Sequence, residues 1–241
     1  LAAWVAANEQ ARARIVAAGC NDAGDGAVGA TGTGVPEATA TFEGAYVRRV
    51  VELAPEGSCL FAANSMSIRA LATFLLKSDK RLAVLCNRGL NGIDGTVSTA
   101  LGAAQRFAQT TLITGDLTLL HDLNALALQR ELRVQRDQAV ARGERECAPS
   151  IVIVLLNNDG GGIFDMLPQR SDEAYFERLF LTPQEVDFQA AARAFSVPHC
   201  RAETVAAFDE TYRAALGVPG ISLIEVRVPL RGLKERYASC W

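Results

Sequence analysis

The sequence predicts an α/β fold: a doubly wound, mostly parallel sheet flanked by helices. Short apolar runs typical of buried strands alternate with longer stretches of helical periodicity along most of the chain. Several of these runs end in Asn, Asp or Gly, as strands do where they lead into a loop. The composition, 49% hydrophobic and 21% charged, is that of an ordinary globular protein. A net charge of −3 gives no reason to expect nucleic acid or an anionic membrane as a partner.

Each predicted element follows from a local pattern. Apolar runs rich in β-branched residues predict strands at 58–65, 82–89, 110–116, 151–156 and 221–228, with a weaker one at 199–203. Stretches of helix formers with apolar positions three and four apart predict helices at 1–18, 41–55, 67–78, 91–108, 117–132, 174–180, 187–196 and 204–216. No apolar run is long enough to span a membrane.

Two segments interrupt this alternation. Residues 19–36 are rich in Gly, so we interpret 1–40 as a helix plus a flexible linker from the end of a preceding domain, and 41–241 as the main domain. Residues 130–149 carry charges of both signs, and we interpret them as an exposed helical extension or insertion. The first residue is Leu, from which we expect a fragment of a longer protein. The six Cys have no zinc-binding spacing and are interpreted as reduced thiols in a soluble intracellular protein.

The ends of two predicted strands offer a binding site. Asp116 follows one strand, and Asn158 follows the buried strand of the stretch IVIVLLNNDGGGIFDMLP, 151–168. Because the carboxyl ends of parallel strands lie along one edge, both side chains are expected to meet there and to bind a hard cation such as Mg²⁺. Gly115 and the three glycines at 160–162 would let a diphosphate lie against backbone N–H groups.

Four blocks carry a closer resemblance, between about 41 and 228: NSMSIR, CNRGLNGIDGTVSTALG, TGDLTLLHDLNALAL and VLLNNDGGGIFDMLPQ. They resemble the diphosphate-binding part of one family of thiamin-diphosphate enzymes, the 2-succinyl-5-enolpyruvyl-6-hydroxy-3-cyclohexene-1-carboxylate (SEPHCHC) synthases, or MenD family. The Gly-Asp and Asn-Asn pair indicates only thiamin diphosphate. The N-R-G-x-N-G-I-D-G and G-G-G-I-F-x-x-L-P blocks indicate this family.

The resemblance implies a role for each matching residue. The metal, Mg²⁺ or Mn²⁺, would be held by Asp116, Asn158 and the carbonyl of Gly160. The rest of the cofactor would contact Gly115, Leu117, Thr118, Gly161 and Gly162, with Gly92 and Ile93 near its centre. The substrates would contact Ser65, Arg69, Arg88, Ile163, Phe164 and Leu167. From the residues alone, the favoured interpretation is a solvent-exposed helix residue for Arg69 and ordinary core for Ile93, Ile163, Phe164 and Leu167.

The resemblance also implies the reaction and its partners. The family decarboxylates 2-oxoglutarate and adds the remaining unit to isochorismate, in menaquinone or phylloquinone biosynthesis. A pyrimidine-binding domain, normally from a second subunit of at least a dimer, supplies the activating Glu, so this chain alone is expected to be inactive. The family works in the bacterial cytoplasm or the plastid stroma.

The separation of Asp116 and Asn158, 42 residues, is longer than usual for this motif, and the charged segment accounts for the excess. Two other functions remain open: another thiamin-diphosphate lyase or synthase, similar to acetolactate synthase, and a non-catalytic assembly domain.

Overall fold

The computed structural model describes residues 2–18, 41–76, 78–143 and 149–240. Within these ranges, a sheet of six strands has the order β2-β1-β3-β4-β6-β5, and every neighbouring pair is parallel. The strands are β1 (Cys59–Ala62), β2 (Ala83–Cys86), β3 (Thr110–Gly115), β4 (Ser150–Asn157), β5 (His199–Arg201) and β6 (Gly220–Arg227). The predicted α/β architecture is therefore confirmed. The predicted linker at 19–36 lies outside the described residues.

Helices precede, connect and follow the strands. They are α1 (Ala2–Ala18), α2 (Glu43–Leu53), α3 (Met66–Phe74), α4 (Thr96–Ala104), α5 (Asp116–His121), α6 (Gln129–Ala141), α7 (Glu173–Phe176), α8 (Phe188–Ala194), α9 (Val205–Ala215) and α10 (Leu233–Ala238). Short 3₁₀ segments lie at Leu123–Leu128, Gly162–Met166 and Pro168–Ser171, and a π-helical turn at Glu177–Leu181 follows α7. None of the helices in these ranges is long and apolar enough to cross a membrane.

Helices bury apolar residues on both faces of the central strand β4. Val152, Val154 and Leu156 belong to one core cluster, which includes residues of α2, α3, α9 and α10. The alternate residues Ile151, Ile153 and Leu155 belong to a second cluster, which includes residues of α4, α6 and α8. Successive side chains of a strand point to opposite faces, so a run of apolar residues is buried against helices on both sides.

The predicted continuous helix at 117–132 is wrong. Helix α5 ends at His121, a 3₁₀ segment follows, and α6 begins at Gln129. At the break, the carboxylate of Asp122 accepts hydrogen bonds from the backbone N–H and the hydroxyl of Ser98, near the start of α4. Asp122, which lies where the predicted helix is broken, therefore caps the start of α4.

The charged segment predicted at 130–149 is helical up to Ala141, and its residues 144–148 lie outside the described residues. The described part is not wholly exposed. In α6, Gln129, Leu132 and Ala139 are buried, while the charged side chains of that helix face solvent. This helix completes the connection from β3 to β4 across one face of the sheet. Its identity as an insertion stays a prediction.

Candidate cofactor and metal site

The proposed metal ligands lie at the carboxyl ends of two neighbouring strands. Gly115, the last residue of β3, pairs in register with Leu156 of β4. Asp116 begins α5 directly after β3, and Asn158 follows the last residue of β4. We call this side of the sheet, where all six parallel strands end, the carboxyl edge, and the opposite side the amino edge. Parallel pairing thus joins residues that are 42 positions apart in sequence.

The three predicted metal ligands converge at this point. The side-chain amide group of Asn158 lies 2.8 Å from Oδ1 of Asp116 and 2.9 Å from the carbonyl oxygen of Gly160. Without a cation, the amide nitrogen donates to both oxygens, and turning the amide group over would direct its oxygen toward a bound cation. Ligands about 2.1 Å from an octahedral Mg²⁺ lie about 3 Å from one another. These two distances therefore fit a shared divalent cation.

Asp116 lacks a partner that its charge requires. Its side chain is buried, and Oδ2 has no hydrogen-bond partner. Burial raises the pKa of Asp116 to about 7; the nearby charge of Asp159 adds to this rise, whereas the backbone N–H groups of residues 116, 117 and 160 oppose it. A buried, unpaired carboxylate is unfavourable by itself, and a bound cation would stabilise its charged form.

The glycines at 160–162 are required by contacts within the protein. A Cβ at Gly160 would lie 2.3 Å from the carbonyl oxygen of Leu181, and one at Gly161 would lie 2.6 Å from that of Phe180. A Cβ at Gly162 would lie 2.2 Å from the end of the Asn158 amide group. Gly162 therefore makes room for the Asn158 side chain.

The expectation that this loop offers free N–H groups is not met at Gly161 and Gly162. The N–H of Gly161 donates to Leu181 at 2.7 Å, and that of Gly162 donates to the carbonyl of Gly160 at 3.0 Å. Space for a ligand is found instead at Gly115, where an added Cβ would meet nothing within 4 Å. Leu117 and Thr118 follow in the first turn of α5.

A second group of polar residues lies at the end of β1. Asn64 is buried, and its amide group donates to the carbonyl oxygens of Asn87 and Gly92. Its oxygen accepts a hydrogen bond of 2.8 Å from the guanidinium of Arg88. The adjacent Ser65 has φ 63° and ψ −130°, a strained conformation for a residue with a Cβ.

This group unites several residues predicted to bind substrate or cofactor. Arg69 donates to the carbonyl oxygen of Ser65 at 2.7 Å, so both predicted arginines contact the Asn64–Ser65 pair. Ile93 follows Gly92 and is half-buried. Asn64 lies within the strand predicted at 58–65, but its three contacts come only from the tertiary structure.

The three apolar residues predicted to contact the substrates, Ile163, Phe164 and Leu167, differ in their exposure. Ile163 is half-buried and packs against the core cluster of α2 and α3. Phe164 packs edge-to-face on Phe180, with ring centroids 5.7 Å apart. Leu167 is 40% exposed, so it is not the core residue that its periodicity alone suggested.

Sequence reasoning missed a buried acid, Glu43, at the start of α2. Burial raises the pKa of Glu43 to about 7, although a hydrogen bond from Tyr237 and the charge of Arg236 act in the opposite direction. The Tyr237 hydroxyl donates to its carboxylate at 2.5 Å. Nothing in the local helical pattern distinguishes this Glu from a solvent-exposed one.

Comparisons with known proteins agree with these motifs. Residues 144–226 match the family model of the thiamine pyrophosphate enzyme, C-terminal TPP binding domain. A SEPHCHC synthase from Bacillus velezensis is 37% identical over 225 residues, which are 93% of this chain and 33% of that protein. One from Desulfitobacterium hafniense is 41% identical over 196 residues, 81% of this chain and 33% of that protein. Over most of its length, this chain is similar in sequence to these two SEPHCHC synthases. It spans about a third of the length of these curated relatives.

Solved structures support the fold independently. The thiamine diphosphate-dependent 4-hydroxybenzoylformate decarboxylase of Rhodococcus jostii aligns with a TM-score of 0.60 at 18% identity, covering 85% of this chain and 35% of that one. The benzoylformate decarboxylase of Polynucleobacter necessarius aligns with a TM-score of 0.62 at 14% identity, with the same shares covered. The chain therefore has the fold of a thiamin-diphosphate-binding domain.

Proposed function

We propose that this chain is the diphosphate- and metal-binding part of a thiamin-diphosphate-dependent SEPHCHC synthase, which decarboxylates 2-oxoglutarate and adds the remaining unit to isochorismate. The names of its relatives and the resemblance of four sequence blocks support this assignment. The observation that carries it is the convergence of Oδ1 of Asp116, the Asn158 amide group and the Gly160 carbonyl oxygen at the carboxyl edge.

In this proposal, Mg²⁺ or Mn²⁺ is held by Oδ1 of Asp116, the side-chain oxygen of Asn158 and the carbonyl oxygen of Gly160. One carboxylate, one amide oxygen and one carbonyl are three of about six oxygen ligands, which leaves positions for diphosphate and water. The open space at Gly115 and the first turn of α5, with Leu117 and Thr118, lie where the diphosphate would approach. Gly161 and Gly162 shape the loop, since their own N–H groups are already paired.

The remaining residues act on the reacting part of the cofactor and on the substrates. Thiamin diphosphate, when bound, supplies the electron sink for decarboxylation of a 2-oxo acid. Ile93 and Gly92 would contact its central part. The guanidinium groups of Arg69 and Arg88 would bind substrate carboxylates, which match their planar arrangement of donors.

Three apolar residues, Ile163, Phe164 and Leu167, would keep water from the reacting atoms. Ser65 would offer a hydroxyl beside the two arginines. We assign the activating Glu to a pyrimidine-binding domain of a second subunit, so that the complete site requires at least a dimer.

The metal assignment is tested by calorimetry. In the protein that contains this chain, Asp116→Ala is expected to abolish Mg²⁺-dependent binding of thiamin diphosphate, because the only carboxylate of the proposed ligand set is removed. Retained binding would overturn the metal assignment.

The substrate assignment is tested by the release of CO₂ from 2-oxoglutarate and from pyruvate. Turnover of 2-oxoglutarate, with a raised KM in Arg88→Gln, is expected because this residue would bind a substrate carboxylate. Turnover of pyruvate alone would favour an enzyme similar to acetolactate synthase.

A further inference from the structure

A buried carboxylate that is not one of the proposed ligands lies beside the metal loop. Glu225 of β6 is fully buried, and its oxygens accept hydrogen bonds from His199 at 3.0 Å, Asn157 at 2.8 Å and Arg201 at 3.2 Å. Burial alone would raise the pKa of Glu225, but these bonds and the charge of Arg201 outweigh it and lower the pKa to about 2. Glu225 is thus a fixed negative charge at neutral pH.

The sheet determines which residues this charge can reach. Leu155 pairs in register with Glu225, and Arg201 pairs with Glu225 from the other side. Because side chains alternate along a strand, Asn157 projects to the same face as Leu155, and His199 to the same face as Arg201. Glu225 therefore lies between the end of β4 and the edge strand β5.

Asn157 connects this charge to the loop. Its Nδ2 donates to Glu225, and its Oδ1 accepts a hydrogen bond of 3.0 Å from the backbone N–H of Asp159. The side chain is buried and uses both ends of its amide group, so it has one defined orientation. The bonded N–H belongs to the residue between Asn158 and Gly160, the two ligands proposed on this loop.

Asp159 is also held through its own side chain. The carboxylate of Asp159 accepts hydrogen bonds from the backbone N–H groups of Gln184, at 3.2 Å, and Glu185, at 2.8 Å. Asp159 has φ 58°, and Gly160 also has a positive φ. A turn with this backbone needs surrounding contacts to persist.

We propose that Glu225 and Asn157 are positioning residues that hold the turn at 158–160 in the conformation required to bind the metal. The part of this inference that concerns metal affinity depends on the proposed function; the part that concerns the turn does not. Residues that orient metal ligands from behind typically change metal affinity by about 10- to 100-fold when replaced.

The experiment compares three variants by two measurements. Glu225→Gln keeps the shape of the side chain but places an amide group against the donors of His199 and Arg201. Asn157→Ala removes the connection with a smaller effect on the core. Gln129→Ala serves as the matched structural control. It removes a buried hydrogen bond of 2.7 Å at the amino edge, which the Gln129 side chain accepts from the N–H of Ile221.

The first measurement is amide hydrogen exchange of the chain without any ligand. Faster exchange at Asp159 and Gly161 is expected in Glu225→Gln and in Asn157→Ala, and unchanged exchange there in Gln129→Ala. Unchanged exchange in the first two variants would overturn the proposal. If Glu225→Gln does not fold, Asn157→Ala alone decides the result.

The second measurement is the Kd for Mn²⁺ in the presence of saturating thiamin diphosphate. Glu225→Gln and Asn157→Ala are each expected to weaken Mn²⁺ binding at least 10-fold. The double variant is expected to bind Mn²⁺ no more weakly than Asn157→Ala alone, because both residues act through one connection. An equal loss in Gln129→Ala would show a merely structural effect and would overturn the proposal. Absence of Mn²⁺ binding by the unaltered protein would overturn the metal assignment instead, while hydrogen exchange still tests the turn.

Discussion

The two edges of this sheet bury different kinds of polar groups. At the amino edge they are neutral, and the main ones are paired: Gln109 accepts from the hydroxyl of Ser150 at 3.0 Å and from the N–H of Gly217 at 2.7 Å, and Gln129 accepts from Ile221. These bonds attach the loops to the strand starts. Thr110 Oγ1, a neutral hydroxyl at the start of β3, is buried without a hydrogen-bond partner.

The carboxyl edge and the loops above it hold the buried acids. Within the described residues these are Glu43, Asp116, Asp122, Asp165 and Glu225. Asp122 and Asp165 accept hydrogen bonds from backbone N–H groups, and Glu225 has cationic partners. Oδ2 of Asp116 has no hydrogen-bond partner. The comparison teaches that the folded chain itself pairs the main polar groups of the amino edge, whereas it leaves one oxygen of a buried acid unpaired at the carboxyl edge.

The largest effect is expected at Asp116. Asp116→Asn replaces a buried carboxylate, one oxygen of which has no partner, by a neutral amide group that costs less to bury. The variant should therefore be more stable than the original without metal at pH 8, by about 2 kcal/mol. It should also lose the rise in Tm that Mg²⁺ produces, since the anionic ligand is gone. Denaturant unfolding and thermal scans with and without Mg²⁺ measure both effects; a less stable variant would contradict the comparison.

A pH-dependent effect is expected at Glu43. Burial raises the pKa of Glu43 from its ordinary value of 4.5 to about 7 in the folded chain. The folded state therefore keeps a proton that the unfolded state releases, and its stability falls as the pH rises from about 4.5 to about 7. Glu43→Gln, which stays neutral, should remove about 3 kcal/mol of this decline.

The measurement for Glu43 is the free energy of unfolding at pH 5, 6, 7 and 8 for both proteins. Asp116 titrates in the same range but is common to both, so the difference isolates Glu43. Parallel pH curves would show that this buried carboxyl is already ionised.

A smaller effect is expected at the amino edge. Gln129→Ala leaves the buried N–H of Ile221 without a partner, which should lower the free energy of unfolding by about 2 kcal/mol. The same variant should show an unaltered Mg²⁺-induced rise in Tm, because its site lies at the opposite end of the strands. A diminished rise would mean that the two edges are coupled.

The smallest effect is expected on the exposed face of α6. Arg136 pairs with Asp137 at 2.7 Å, and both side chains are largely exposed. Arg136→Ala should change the free energy of unfolding by less than about 0.5 kcal/mol. This variant gives the background against which effects at either edge are judged in the same denaturant experiments.

Much of the carboxyl edge was predictable from the sequence. Strand ends are marked by local residues, so Asp116 and Asn158 were expected to meet once the sheet was taken as parallel. The reason for the glycines was not predictable, since Gly160 and Gly161 accommodate carbonyls of residues 180 and 181, about 20 positions away. The broken helix at 117–132 was missed because Asp122 caps α4, a contact between separate elements.

The sequence by itself determined the alternation of elements, the residues at the strand ends and the resemblance to SEPHCHC synthases. These depend on periodicity and on motifs that lie within short segments. Only the tertiary structure decided which buried charges are paired: Glu225 has partners from β4 and β5, Glu43 has Tyr237 from the last helix, and Asp116 has an unpaired oxygen. The free energy of a buried charge depends on its neighbours in space, and adjacent residues in sequence do not specify them.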